Sequence, residues 1–148
     1  MNPAVNRGGG VREVRFVLVR PGSGGNVGAV ARALKNTGFS ELWLVEPRDF
    51  DPRDAERLAH GAIDVLRAAR VAASLAEALA GCRWSVGATR RAGRRRAVTW
   101  TPRALARAAC AEPSRRPLAI VFGPEEDGLS MAELALCQEA LRLPAAAA

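Results

Sequence analysis

Apolar residues fall along this chain in two alternating rhythms. Short, dense runs at Arg12–Arg20, Leu42–Val45, Trp84–Ala88 and Leu118–Phe122 are separated by longer segments in which apolar positions return every three or four residues. The first kind predicts strands, and the unbroken Phe16-Val17-Leu18-Val19 predicts a central parallel strand covered on both faces. The second kind predicts helices. Asn26–Thr37 puts Val27, Val30, Ala31 and Leu34 on one stripe and stops at Gly38, which suits a left-handed C-cap. Further helices are expected at Pro52–His60, at Ser74–Ala80 with Ser74 as cap and Glu77 at the capping-box position, at Pro102–Ala111 and at Ser130–Leu136. Pro47 closes the second strand, Pro113 and Pro117 bracket a polar turn, Ile63–Val71 reads as an irregular or short extended piece, and Ala140–Leu143 carries the last strand signal. Strands alternating with helices, with no internal repeat, predict one α/β domain on a mainly parallel sheet.

Composition adds a partner class. A chain of 148 residues can bury a real core; the expected domain occupies 12–148, behind a disordered lead-in at 1–11 that contains Gly8-Gly9-Gly10. The net charge of +7 points to a polyanion or an acidic surface without saying which. Lys35 is the sole lysine, an arginine preference credited to a GC-rich genome. No apolar run reaches the ~20 residues that span a bilayer, and Met1–Gly10 lacks the apolar core of a signal peptide, so a cytoplasmic protein with no membrane partner is expected. Cys82, Cys110 and Cys137 are widely spaced with no histidine nearby. They support neither disulfides nor a zinc site and are expected to be buried small side chains. His60 has no evident partner.

The chemistry gathers where the first strand runs into the first helix through Arg20-Pro21-Gly22-Ser23-Gly24-Gly25-Asn26. A polar loop ending at a helix N-terminus collects backbone donors and a positive dipole end, which suits an anion such as phosphate. Neither Gly-x-Gly-x-x-Gly nor Gly-Lys-Ser/Thr is present. Asn26 reads as the helix cap, as a ligand-binding amide, or as both. Arg32 lies about 140° round the helix from Val27 at roughly 100° per residue, free to face a site or to remain a solvated charge. A second turn, Gly123-x-Glu125-x-x-Gly128, follows a buried strand as cofactor loops do in α/β sheets. Arg90, Arg91, Arg94, Arg95 and Arg96 crowd one loop, either a nucleic-acid backbone contact or a solvated loop. Trp100 nearby could stack on a base or pack.

Asn26-x-Gly28-Ala29-x-Ala31-Arg32-Ala33, followed far downstream by Ile120-Val121-Phe122-Gly123-Pro124-Glu125-Glu126-Asp127-Gly128-Leu129-Ser130, resembles the first and second motifs of the SpoU/TrmH group of the SPOUT class, S-adenosylmethionine-dependent RNA ribose 2′-O-methyltransferases. Gly38-Phe39-Ser40-x-Leu42-x-Leu44-Val45-x-Pro47, Ala59-x-Gly61-Ala62 and Leu75-x-Glu77-Ala78-Leu79 are similar to that group's TrmJ-like tRNA methyltransferases, and the resemblance runs from Val14 to Pro144. It implies a SPOUT α/β-knot, a Rossmann-like, mainly parallel sheet with helices on both faces. It also implies S-adenosyl-L-methionine as methyl donor, S-adenosyl-L-homocysteine as product, no metal, and a homodimer that holds tRNA or rRNA across its interface.

By this resemblance Asn26, Arg32 and Glu125 are the catalytic residues. Main-chain groups at Ala88, Thr89, Arg90, Gly123 and Leu143 hold the methyl donor, and Arg20, Arg91, Arg94, Arg95 and Arg96 hold RNA. The family's arginine is proposed as the base on the ribose hydroxyl. A guanidinium stays protonated, so Arg32 is better suited to a bidentate grip on a phosphate, whose oxygen takes the proton.

The family's third motif continues into a Ser-Leu-Asn segment and a C-terminal helix that make the knot. Here Pro144 is followed by Ala145-Ala146-Ala147-Ala148, so the knot-forming part is expected to be missing or truncated and the domain incomplete. The reading reached is a tRNA 2′-O-methyltransferase acting at nucleotide 32 of the anticodon loop. The alternatives are an rRNA methyltransferase, an RNA-binding module of the same fold without catalysis, and a phosphate-binding metabolic enzyme.

Overall fold

The computed structural model describes residues 13–90 and 99–144. Arg91, Arg94, Arg95, Arg96, the lead-in and the four terminal alanines lie outside the described residues. Seven strands, β1 (Val14–Val19), β2 (Glu41–Val45), β3 (Arg70–Ala72), β4 (Trp84–Thr89), β5 (Thr99–Trp100), β6 (Leu118–Phe122) and β7 (Glu139–Arg142), form one sheet in the order β3-β2-β1-β6-β4-β7-β5. Every neighbouring pair runs parallel, a pairing that tight hairpins cannot make and crossover connections can. Among the described residues the connections carry α1 (Gly24–Thr37), α2 (Pro52–Leu58), α3 (Ile63–Ala68), α4 (Leu75–Leu79), α5 (Pro102–Ala111) and α6 (Met131–Leu136).

Alternation along the strands sends side chains to both faces of the sheet, where they build three core clusters. Val17, Val19, Ala119 and Val121 pack with Leu75, Ala78 and Leu134 from α4 and α6, while Phe16, Leu42 and Leu44 face α1 and α3, and Trp84, Val86 and Leu118 face α5. The predicted two-sided central strand is therefore present: β1 lies between β2 and β6 with both its faces covered. α1 and α2 meet backbone to backbone. A Cβ built on Gly28 would sit 2.1 Å from the Ala55 carbonyl oxygen, so only glycine permits this approach.

Several local expectations are corrected. Ile63–Val71 is neither irregular nor wholly extended; it is α3 followed by β3, because burial of Val65 against α1 favours a helical turn over extension. The cap of α1 is Ser23, whose Oγ accepts from the Asn26 backbone N–H at 3.2 Å, so the helix begins two residues before Asn26. Ser74 does cap α4, but Glu77 accepts from the Ala73 N–H at 2.9 Å rather than closing a box on Ser74. Trp100 belongs to a strand, packs edge-on against Trp84 and donates its indole N–H to Glu139. Of the cysteines only Cys137 is buried; Cys110 is exposed. Among the described residues no helix is long and apolar enough to cross a membrane.

Candidate functional site

The sheet order fixes where a ligand can sit. β1 connects through α1 to β2 on one side, whereas β6, its other neighbour, connects through α6 to β7 on the opposite side. The loops leaving the carboxyl ends of β1 and β6 therefore diverge and leave a crevice, the usual ligand site of open α/β sheets. One of these loops carries Gly22 to Asn26, the other Gly123 to Gly128.

Glu125 closes the crevice from the β6 side. Its Oε2 accepts from the Gly22 backbone N–H at 3.3 Å, and the polar groups of the Asn26 side chain and the Ser23 backbone N–H face it and favour its charge. Partial burial disfavours its charge, but these donors and its own backbone N–H outweigh that and hold the carboxyl below the usual carboxylate range. Glu125 is thus an anion at neutral pH that orients the Asn26 amide. Each of the two motif loops supplies one half of that contact.

Two pockets share this wall. One, of about 350 Å³, is lined by Ala88, Thr89, Arg90, Gly123, Glu125 and Leu143 among others. It unites all five residues predicted for the methyl donor, and its size lies within the range of small-molecule sites. The Leu143 N–H donates to the Thr89 carbonyl at 3.1 Å, tying the end of β7 to the end of β4. The second, of about 490 Å³, lies on the other side of Gly123 and Glu125 and is lined by Asn26, Val30, Phe16, Leu18 and Phe122. A Cβ on Gly123 would meet Gly128 C and Leu129 N at 2.2 Å, so the turn between the pockets folds tightly on itself.

The remaining predicted residues fall elsewhere. Arg20, at the start of the first loop, has its Nη2 on Glu133 Oε1 at 2.7 Å, where Glu133 also completes a capping box with Ser130 at α6. Arg32 is exposed and lines neither pocket; six helical steps of roughly 100° put it about 120° round α1 from Asn26. Sequence reasoning missed Ser23, although a serine directly before two glycines and Asn26 is an ordinary cap signal. It also missed Glu133, which the pattern Ser130-x-x-Glu133 marks as a box residue.

A family model described as the SpoU rRNA Methylase family matches residues 13–148. The chain is 42% identical over 136 residues to the tRNA (cytidine/uridine/adenosine-2′-O-)-methyltransferase TrmJ of Pseudomonas aeruginosa, covering 88% of this chain and 51% of that protein. It is 41% identical over 130 residues to the tRNA (cytidine/uridine-2′-O-)-methyltransferase TrmJ of Salmonella typhimurium, covering 86% and 52%. It superposes on the crystal structure of TrmJ from Z. mobilis with a TM-score of 0.82 at 35% identity, over 92% of this chain and 59% of that one. The chain thus spans about half the length of the TrmJ relatives it matches.

Proposed function

Because this chain belongs to the SpoU rRNA methylase family, we propose that it forms the methyl-transfer domain of an S-adenosyl-L-methionine-dependent RNA 2′-O-methyltransferase acting on tRNA, at nucleotide 32 of the anticodon loop. The observation that carries this reading is the wall of Gly123 and Glu125 between two pockets, with Asn26 on one side of it and Ala88, Thr89, Arg90 and Leu143 on the other. The names of the relatives favour tRNA.

Bound S-adenosyl-L-methionine supplies a methyl group made electrophilic by its sulfonium. The main chain at Ala88, Thr89, Arg90, Gly123 and Leu143 would hold that donor in the smaller pocket, with Leu143 itself fixed by its bond to Thr89. The Asn26 side-chain amide, which faces Glu125, carries donors and an acceptor that can align the ribose oxygen. Glu125, taken up by its bond to the Gly22 N–H, orients Asn26 rather than taking the hydroxyl proton. A phosphate oxygen of the substrate gripped by Arg32 takes it instead. Arg32 lines neither pocket of its own copy, and in this reading the working unit is a homodimer with RNA lying across the interface, so that Arg32 of one copy serves the crevice of the other. Arg90 and the arginines at 91 and 94–96 contact the RNA backbone.

The test is ribose-methylation mapping of tRNA after incubation with the full-length protein and S-adenosyl-L-methionine, with calorimetry of the methyl donor alongside. A new 2′-O-methyl group at nucleotide 32 is expected. No heat with the methyl donor, together with retained tRNA binding, would make the domain an RNA-binding module instead.

A further inference from the structure

We propose that Arg48 is a further RNA-binding residue of this site, seating a phosphodiester of the substrate strand beside the contact between Gly22 and Glu125. Naming RNA as the ligand rests on the methyltransferase reading; the cation itself is a matter of geometry. A Cβ built on Gly22 would meet Arg48 Cδ and Nη1 at 3.4 Å and Glu125 Oε2 at 3.7 Å. The guanidinium and the carboxylate therefore face the same small gap, kept open because residue 22 has no side chain.

The backbone is bent to bring Arg48 there. β1 and β2 run in register to Val19 and Val45, and each is followed by a non-glycine residue in the left-handed region, Arg20 at φ 49° and Glu46 at φ 46°. A proline comes next in both cases, Pro21 and Pro47. Left-handed backbone at a non-glycine residue is unfavourable and persists only where the surroundings enforce it, most often at functional sites. Here the enforcing bonds run from the Arg20 N–H to the Val45 carbonyl at 2.7 Å, from the Glu46 N–H to the Ala72 carbonyl at 3.1 Å and from the Arg48 N–H to the Pro21 carbonyl at 3.0 Å. The last of these clamps the second strand exit onto the first and sets Arg48 against the loop that carries Asn26.

The side chain delivered this way is unspent. Among the described residues the Arg48 guanidinium makes no hydrogen bond or ion pair, whereas Arg20 is committed to Glu133. Glu125 is already served by Gly22, Ser23 and Asn26 and would repel an incoming phosphate. Arg48 offsets that repulsion, and its planar fork matches two phosphate oxygens.

The experiment titrates unmodified tRNA into the full-length protein across a series of salt concentrations, comparing wild type, Arg48→Ala, Arg48→Lys and, as control, Arg53→Ala, whose guanidinium is exposed and paired with Asp51. Arg48→Ala is expected to weaken tRNA binding about tenfold and to flatten the log K against log salt slope by roughly 0.7–0.9, the value of one phosphate contact. Affinity for S-adenosyl-L-methionine should not change. Arg48→Lys should keep the slope and recover part of the affinity, and Arg53→Ala should leave the slope alone. An unchanged slope in Arg48→Ala, or an equal loss in Arg53→Ala, overturns the assignment. If wild type binds tRNA but transfers no methyl group, the enzymatic reading fails while the salt slopes still decide Arg48; if it binds no tRNA, both fail.

Discussion

Adding one methyl group at residue 123 should separate the site from the fold. A Cβ on Gly123 would lie 2.2 Å from Gly128 C and Leu129 N and 2.7 Å from Gly128 O. All three are backbone atoms, so no side chain can swing aside. Carbon contacts settle at ~3.5–4.0 Å, and the turn over 123–128 must therefore open by more than about 1 Å. Glu125 rides on that turn and is bonded to the Gly22 N–H at 3.3 Å, a distance already too long to survive such a shift. Misplacement by about 1 Å costs roughly 10² in rate, and overpacking of this kind costs about 1–3 kcal/mol of stability. Gly123→Ala is thus expected to lower kcat/KM for tRNA about 100-fold and to weaken S-adenosyl-L-methionine binding at least ~10-fold by calorimetry. Gly38→Ala supplies the control. Gly38 caps α1 at φ 84° with nothing within 4 Å of a Cβ, so alanine there should cost about 1 kcal/mol through its left-handed backbone and leave methyl-donor affinity intact. A Gly123→Ala protein with wild-type affinity and rate would refute the coupling of turn to pocket.

Glu125→Gln keeps the shape and removes the charge that Gly22, Ser23 and Asn26 address. A bond to charge at an exposed site contributes about 1.5 kcal/mol, so steady-state assays should find kcat/KM roughly tenfold lower, and full activity would rule out the orienting role. Arg32→Ala should abolish methyl transfer in a tritium-transfer assay with only a modest loss of tRNA affinity; undiminished turnover would sink its assignment. Burial works against the charges of Glu125, Glu133 and Glu139, yet their hydrogen bonds and the Arg20 and Arg115 partners hold all three carboxyls below the usual range. A depressed carboxyl stabilises the fold fully above the unfolded value, about 4.3, and loses that contribution as pH falls through the folded one. Thermal midpoints should hold steady from neutral pH down to about 5 and drop below about 4, with a shallower drop in Glu133→Gln; an unaltered acid limb in that variant would contradict the pairing.

Much of the sheet was readable because its inner strands are apolar runs with distinct ends, as in Phe16 to Val19 and Leu118 to Phe122. β3 and β5 were not, since three residues and two residues are too few to display a two-residue period. α3 shows only Val65 as buried, and its helical state comes from packing on α1 rather than from its own pattern. Ser23 and Asn26 are both good cap residues three apart; the choice between them was made by Gly24, which is buried against Phe50 and the Asp51 carbonyl and draws the helix start forward. The meeting of Asn26 with Glu125 follows from β1 lying beside β6, an adjacency that periodicity along the chain does not encode and that motif resemblance supplied. The engagement of Arg20 by Glu133 spans 113 positions, beyond the reach of any local signal.

Asn26 lies between Gly24 and Gly28 on a helix whose seat is decided where Gly28 meets the Ala55 carbonyl. A fulcrum made of main chain has no rotamer to change. Drift over the outer surface of α2 can therefore reshape what approaches the crevice without moving the amide inside it. One extra carbon at the fulcrum, by contrast, would tilt the whole helix and carry that amide off its carboxylate.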